Sequence, residues 1–95
     1  MNESLTQQLE RLFRETGSAH HRAFIAVNGE DDAWAQWYAT YLCERLGGLL
    51  NRRYEPRQLA WLLEKAEAER KTLGIGSWTK YYAEVFLQQA SAVPL

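Results

Sequence analysis

Between Asp31 and Leu42 the chain reads Asp-Asp-Ala-Trp-Ala-Gln-Trp-Tyr-Ala-Thr-Tyr-Leu. Trp34, Trp37, Tyr38, Tyr41 and Leu42 fall at i, i+3, i+4, i+7 and i+8, the spacing of one stripe on a helix. A large aromatic side chain buries about 150–250 Å². A stripe of four therefore demands a partner face, and no other segment constrains the fold as much. Beside it, Ala35, Ala39 and Cys43 make a small-residue seam that lets a neighbouring helix approach. Asp31 or Asp32 suits the amino end as a cap that opposes the helix dipole, and Gly47 suits the carboxyl end. A central core helix over residues 32–46 is predicted.

Before it, Ser4 and Gln7 have capping-box spacing, and Leu5 starts the series Leu5, Leu9, Leu12, Phe13, Thr16, His20, Ala23, Phe24 and Val27. The series keeps its phase through Gly17, so one helix over residues 4–27 is predicted. A break at Gly17, with Ser18 as a new cap, is the alternative. Asn28-Gly29-Glu30 is a turn. After Gly47-Gly48, residues 49–55 form a basic linker containing Arg52 and Arg53, and Pro56 suits the first turn of a third helix over residues 56–72. The inward stripe of that helix is Leu59, Leu62, Leu63, Ala66 and Leu73. Gly74-Ile75-Gly76 is a turn, and Ser77 caps a fourth helix over residues 78–90, followed by a short tail.

The two halves resemble one another. Trp34-x-x-Trp37-Tyr38-Ala39 recurs as Trp78-x-x-Tyr81-Tyr82-Ala83, with Leu42 answered by Phe86. Gln8-Leu9-x-x-Leu12-Phe13 recurs as Gln58-Leu59-x-x-Leu62-Leu63. A longer first hairpin, around residues 19–28, accounts for the different offsets. The fold expected is all-α, a four-helix domain built from two pseudo-repeated helical hairpins, over residues 4–46 and 56–90 of a single domain 1–95. Convergence of two amphipathic helices by composition is the alternative.

The combination of His20-His21, Gly29, Asp31 and then Trp34-x-x-Trp37-Tyr38-Ala39-x-Tyr41-Leu42 resembles a group of small uncharacterised bacterial all-helical proteins. The resemblance covers about a quarter of the chain and implies no catalytic residue.

Composition narrows the functional classes. The formal net charge of −1 gives no field that recruits nucleic acid or an anionic membrane surface. The first residues lack the basic and apolar regions of a signal peptide, and no run approaches the ~18 apolar residues of a membrane span. Cys43 is the single cysteine, which excludes an internal disulfide and a cysteine-based zinc site. A cytoplasmic location is expected.

Candidate chemistry is sparse. Adjacent residues on a helix point about 100° apart, so His20 and His21 do not line one small site together. His20 could join Asp31, Asp32 or a carboxylate of the third helix in a metal or acid–base site. The favoured reading is a core histidine bonded to a tyrosine hydroxyl or a carboxylate. Glu64-x-x-Glu67 has the spacing of a helical metal site, but the second and fourth helices offer only Glu44 and Glu84, so a di-metal hydrolase lacks its second acidic pair. The run from Glu64 to Arg70 reads as a solvated face. Gly74-x-Gly76-Ser77 has no preceding strand and no P-loop lysine, so a nucleotide-binding loop is excluded and no cofactor is expected. The aromatic stripes could line an apolar ligand pocket, although core packing accounts for them.

Arg52, Arg53 and Arg57 cluster near the third helix, where pairing with the acidic turn Glu30-Asp31-Asp32 is expected. Trp61 lies opposite the inward stripe of its helix, and a tryptophan beside arginine is enriched at protein interfaces. The favoured reading is a small interaction module that binds a partner protein or itself through Trp61, Arg57 and Arg53. The runner-up is a metal- or ligand-binding helical enzyme using His20 or His21 with Asp31 and Asp32. Cover of Trp61 by the loop 49–54, or by the tail at Val93 and Leu95, is the alternative to an interface.

Overall fold

The computed structural model describes residues 3–91, and over these the chain forms four helices: α1 (Leu5–Ala23), α2 (Trp34–Leu50), α3 (Pro56–Leu73) and α4 (Trp78–Ser91). A single 3-10 turn, Ile25–Val27, follows α1. Each helix packs on its neighbours in sequence, and α4 returns to α1, which closes the four into a ring. The most extensive contacts are α2 with α3 and α1 with α4. No described helix is long and apolar enough to cross a membrane.

The first helix starts where the sequence places it. The Ser4 hydroxyl accepts from the Gln7 N–H at 3.1 Å, and the Gln7 side chain accepts from the Ser4 N–H at 2.9 Å, a complete capping box. It runs unbroken through Gly17 and ends at Ala23, short of residue 27. There Phe24 leaves helical geometry, and Asn28 and Gly29 in succession adopt left-handed backbone and turn the chain. Ala23 and Val27 are accordingly exposed.

Helix α2 corrects two expectations. It continues through Gly47-Gly48 to Leu50, and Asn51, in left-handed geometry, stops it. Gly47 is needed for close approach: the chain folds back over it, Arg52 N–H bonds its carbonyl at 3.0 Å, and a Cβ there would lie 2.5 Å from the Arg52 carbonyl oxygen. Gly48 faces open space. Alanine at Gly48 therefore gains helix propensity alone, about 1 kcal/mol, whereas at Gly47 the backbone collision outweighs that gain. Thermal melts of the two variants are expected to move in opposite directions, Gly48→Ala upward and Gly47→Ala downward.

The second correction concerns which face of α2 is buried. Ala35 and Ala39 of the small-residue seam face the centre with Leu42 of the stripe and Leu46, whereas Cys43 is half-buried, so the core face is this mixed row and not the aromatic rings of the stripe. Closely packed helix axes lie about 8–10 Å apart, which alanine permits and an indole between the axes does not. The rings occupy the flanks instead. Trp34, Tyr38 and Tyr41 pack against the core from its edge, and Trp37 stands outside it. The centre is completed by Leu9, Leu12, Phe13 and Thr16 of α1, by Leu59, Ala60, Leu63 and Ala66 of α3, and by Tyr82, Ala83 and Phe86 of α4. Phe13 meets Tyr82 edge-on at 5.5 Å and Phe86 at 5.6 Å. Leu62 is half-buried and Leu73 is exposed, so the inward stripe of α3 ends a turn early and Ala60 joins it. Gly17 marks a further close contact, since a Cβ there would lie 2.9 Å from Cζ2 of Trp78.

Candidate functional site

Trp61 is exposed to 58 %, on a helix whose inward residues Leu59, Ala60, Leu63 and Ala66 are buried. The loop before α3 does not cover it. Tyr54 is buried against Phe86 and donates its hydroxyl to Gln89, while Arg52 lies over the Tyr54 ring and donates to the Gln89 carbonyl at 2.9 Å. That loop is thus fastened to α4. The tail at Val93 and Leu95 lies outside the described residues. The expected pairing of the basic loop with Glu30-Asp31-Asp32 does not form: among the described residues no ion pair joins Arg52, Arg53 or Arg57 to that turn.

Trp61, Arg57, Pro56, Ala60 and Glu64 of α3 face Gln36 and Thr40 of α2 across a groove of about 390 Å³. Lys65 stands over the indole, 5.3 Å from its centroid. Arg57 is exposed on the same groove, whereas Arg53 lines a separate depression with Cys43, Glu44 and Tyr54. On the other side of Gln36 and Thr40 lies a second, mostly apolar groove of about 500 Å³, lined by Phe24, Asp31, Ala33, Trp37 and Tyr41. Trp37 stacks on Tyr41 at 5.5 Å, and Arg45 lies 3.9 Å over the Tyr41 ring, which makes a ladder along α2. The helix face thus carries two grooves that share one polar ridge.

Of His20, His21, Asp31 and Asp32, two come together. His20, 7 % exposed, places Nε2 3.0 Å from Asp31 Oδ2 and is walled by Phe24, Trp37 and Tyr38. The other Asp31 oxygen accepts the Ala33 N–H at 3.0 Å. Asp31 therefore pins the connecting loop to α1 and turns the chain into α2, whose cap residue, Ala33, has no side-chain bond of its own. His21 is exposed and lies against Gly29, and Asp32 is exposed. Among the described residues no group of three or more His, Cys, Asp or Glu side chains comes together with the geometry to hold a metal ion.

A polar network that sequence reasoning missed sits across from His20. Arg70 grips Glu67 with two bonds, at 2.7 and 2.8 Å, and donates a third to the Ile75 carbonyl at 2.6 Å. The Tyr82 hydroxyl donates to the same carboxylate at 3.0 Å. The Arg70 bonds, helped by the Tyr82 hydroxyl, hold the Glu67 carboxyl below its ordinary range against the opposing effect of burial. Burial, with the Glu67 charge beside it, pushes the Tyr82 phenol far up, and Tyr38 is raised for the same two reasons. The Glu67-x-x-Arg70 spacing was visible in the sequence, but the bond from α4 that draws the pair inward was not.

The depressed Glu67 value sets a pH dependence. Its stabilising contribution is fully present above the ordinary carboxyl value of 4.5 and is lost as the pH falls through the lower, folded-state value. The melting temperature of the native chain should exceed that of Glu67→Gln near neutrality, and the difference should close on acidification below 4.5. Parallel melting curves at every pH would contradict this assignment.

Compared with protein-family models, with curated proteins and with solved structures, the chain matches none of them.

Proposed function

We propose that the chain is a small helical interaction module that docks on a second copy of itself through the outer face of α2 and α3. The observation that carries this reading is the shared ridge of Gln36 and Thr40, with an apolar groove on one side and exposed Trp61 on the other. A twofold axis through that ridge would set the Trp61 of each copy over the other's Phe24–Trp37–Tyr41 groove. It would also set Arg57 opposite the acidic turn that ends in Asp31 and Asp32. Such a self-complementary patch is what an isologous dimer requires. An exposed tryptophan ringed by Arg57 and Lys65 also has the composition of an interface anchor with a polar rim. The test is a charge exchange. Arg57→Glu and Asp32→Arg should each lower the mass in solution towards one chain, and the double variant should recover the dimer. Failure of the double variant to recover would sink the proposed pairing.

The pseudo-repeat belongs to the same proposal, since two like hairpins sharing a core explain how so short a chain closes a ring. Supporting it, Leu9, Phe13 and Thr16 are buried as Leu59, Leu63 and Ala66 are, and Ala39 and Leu42 as Ala83 and Phe86 are. Exchanging the hairpins also maps the α2–α3 contact onto the α4–α1 contact, the two most extensive in the ring.

A further inference from the structure

We infer that the cleft between His20 and Glu67 is a binding site for a small planar aromatic anion. The cleft measures about 330 Å³, is lined from all four helices and lies at the end of the bundle where α1 turns into α2 and α3 into α4. That volume is at the lower end of the range for small-molecule sites. One wall is a run of rings: Trp34 meets Tyr38 edge-on at 5.4 Å, Tyr38 meets Trp78 at 6.2 Å, and Trp78 meets Tyr82 edge-on at 5.3 Å. Gly17 lets the Trp78 indole lie close against α1, which fixes that wall. The opposite wall carries Glu67, Arg70 and Lys71.

The charge balance selects the ligand. Rings that could embrace a cation are present, but both Glu67 oxygens already accept from Arg70, and one also accepts from Tyr82. Four helix ends border the cleft, two carboxyl and two amino, so the dipoles roughly cancel and side chains decide. Among the lining residues Arg70 and Lys71 both pair with Glu67, which leaves one positive charge in excess, and Lys71 is the more exposed of the two on the rim. Its ammonium stands 4.0 Å from Glu67 and is well exposed, free to swing onto a ligand. The Tyr38 phenol stays protonated, because burial raises it, and among the described residues its hydroxyl has no bond. The structure thus offers flat apolar surface, one hydroxyl donor and one mobile cation, which suit an aromatic ring bearing a single anionic group.

The probe is indole-3-carboxylate, compared with the neutral indole-3-carboxamide and with a cationic indole methylamine of similar size. Binding is read from the indole N–H resonances of nitrogen-labelled protein. The carboxylate should shift Trp34 and Trp78 saturably and leave Trp61 in place, with the other two compounds bound at least about fivefold more weakly. Lys71→Gln should remove the preference for the carboxylate, and Tyr38→Phe should weaken it by a similar factor. Both substitutions keep the size of the side chain, and unchanged melting temperatures show that the fold is intact. The inference is overturned if the carboxylate gives no saturable shift at millimolar concentration, if the amine binds as well, or if Lys71→Gln binds the carboxylate unchanged.

Discussion

Replacing Phe13 with alanine should cost about 3–5 kcal/mol, most of the stability of a domain this size. Its ring is fully buried and lies between Tyr82 and Phe86, so truncation opens a cavity at the α1–α4 contact that neither neighbour can collapse into without leaving its own partners. For a domain of this length each kcal/mol moves the melting temperature by about 4–8 °C, so a fall of roughly 12–40 °C is expected. Trp37→Ala is the informative contrast. The tryptophan has the larger side chain, yet it stacks on Tyr41 and meets His20 edge-on at the margin of the core, and should cost no more than about 1–2 kcal/mol. Calorimetry on both variants tests the placement. A larger loss at Trp37 than at Phe13 would mean that the aromatic stripe, and not the alanine seam, faces the centre.

The second large effect is expected in association, without a matching loss of fold. Trp61 is more than half exposed and the inward positions of α3 are filled without it, so Trp61→Ala should change monomer stability by less than about 1 kcal/mol. In the proposed dimer it sits at the centre of the contact, and truncation of a central tryptophan typically costs about 2 kcal/mol or more. A twofold interface loses two such anchors at once, roughly 4 kcal/mol, which corresponds to nearly a thousandfold in dissociation constant. The contact needs about 800 Å² from each chain, about an eighth of the 6598 Å² that one chain exposes. Trp37→Ala should weaken the dimer as well, because Trp37 lines the groove that would receive the indole.

The number of helices and their approximate spans were legible in the sequence, because capping and apolar periodicity are local. Ser4 with Gln7, Pro56, and Gly74 in left-handed geometry mark helix ends through the backbone of a few residues. The end of α2 was not legible, because a helical glycine and a terminating glycine look alike until the returning chain is known. Only the Arg52 carbonyl lying over Gly47 distinguishes them. The buried face of α2 was misread for a related reason. Hydrophobicity ranks Trp37 above Ala39, whereas the spacing of helix axes favours alanine at the centre. Exposure of Trp61 was legible from its position opposite Leu59 and Leu63. The Glu67–Arg70–Tyr82 network was not, because it joins two helices that periodicity treats separately.

The most direct measurement is sedimentation equilibrium of the native chain over a wide concentration range, beside Trp61→Ala. The native mass should rise with concentration towards twice the 11.0 kDa of one chain, and the variant should stay at 11.0 kDa with an unchanged melting temperature. A native chain that remains at 11.0 kDa at every concentration would contradict the proposed dimer, as would a variant that still dimerises.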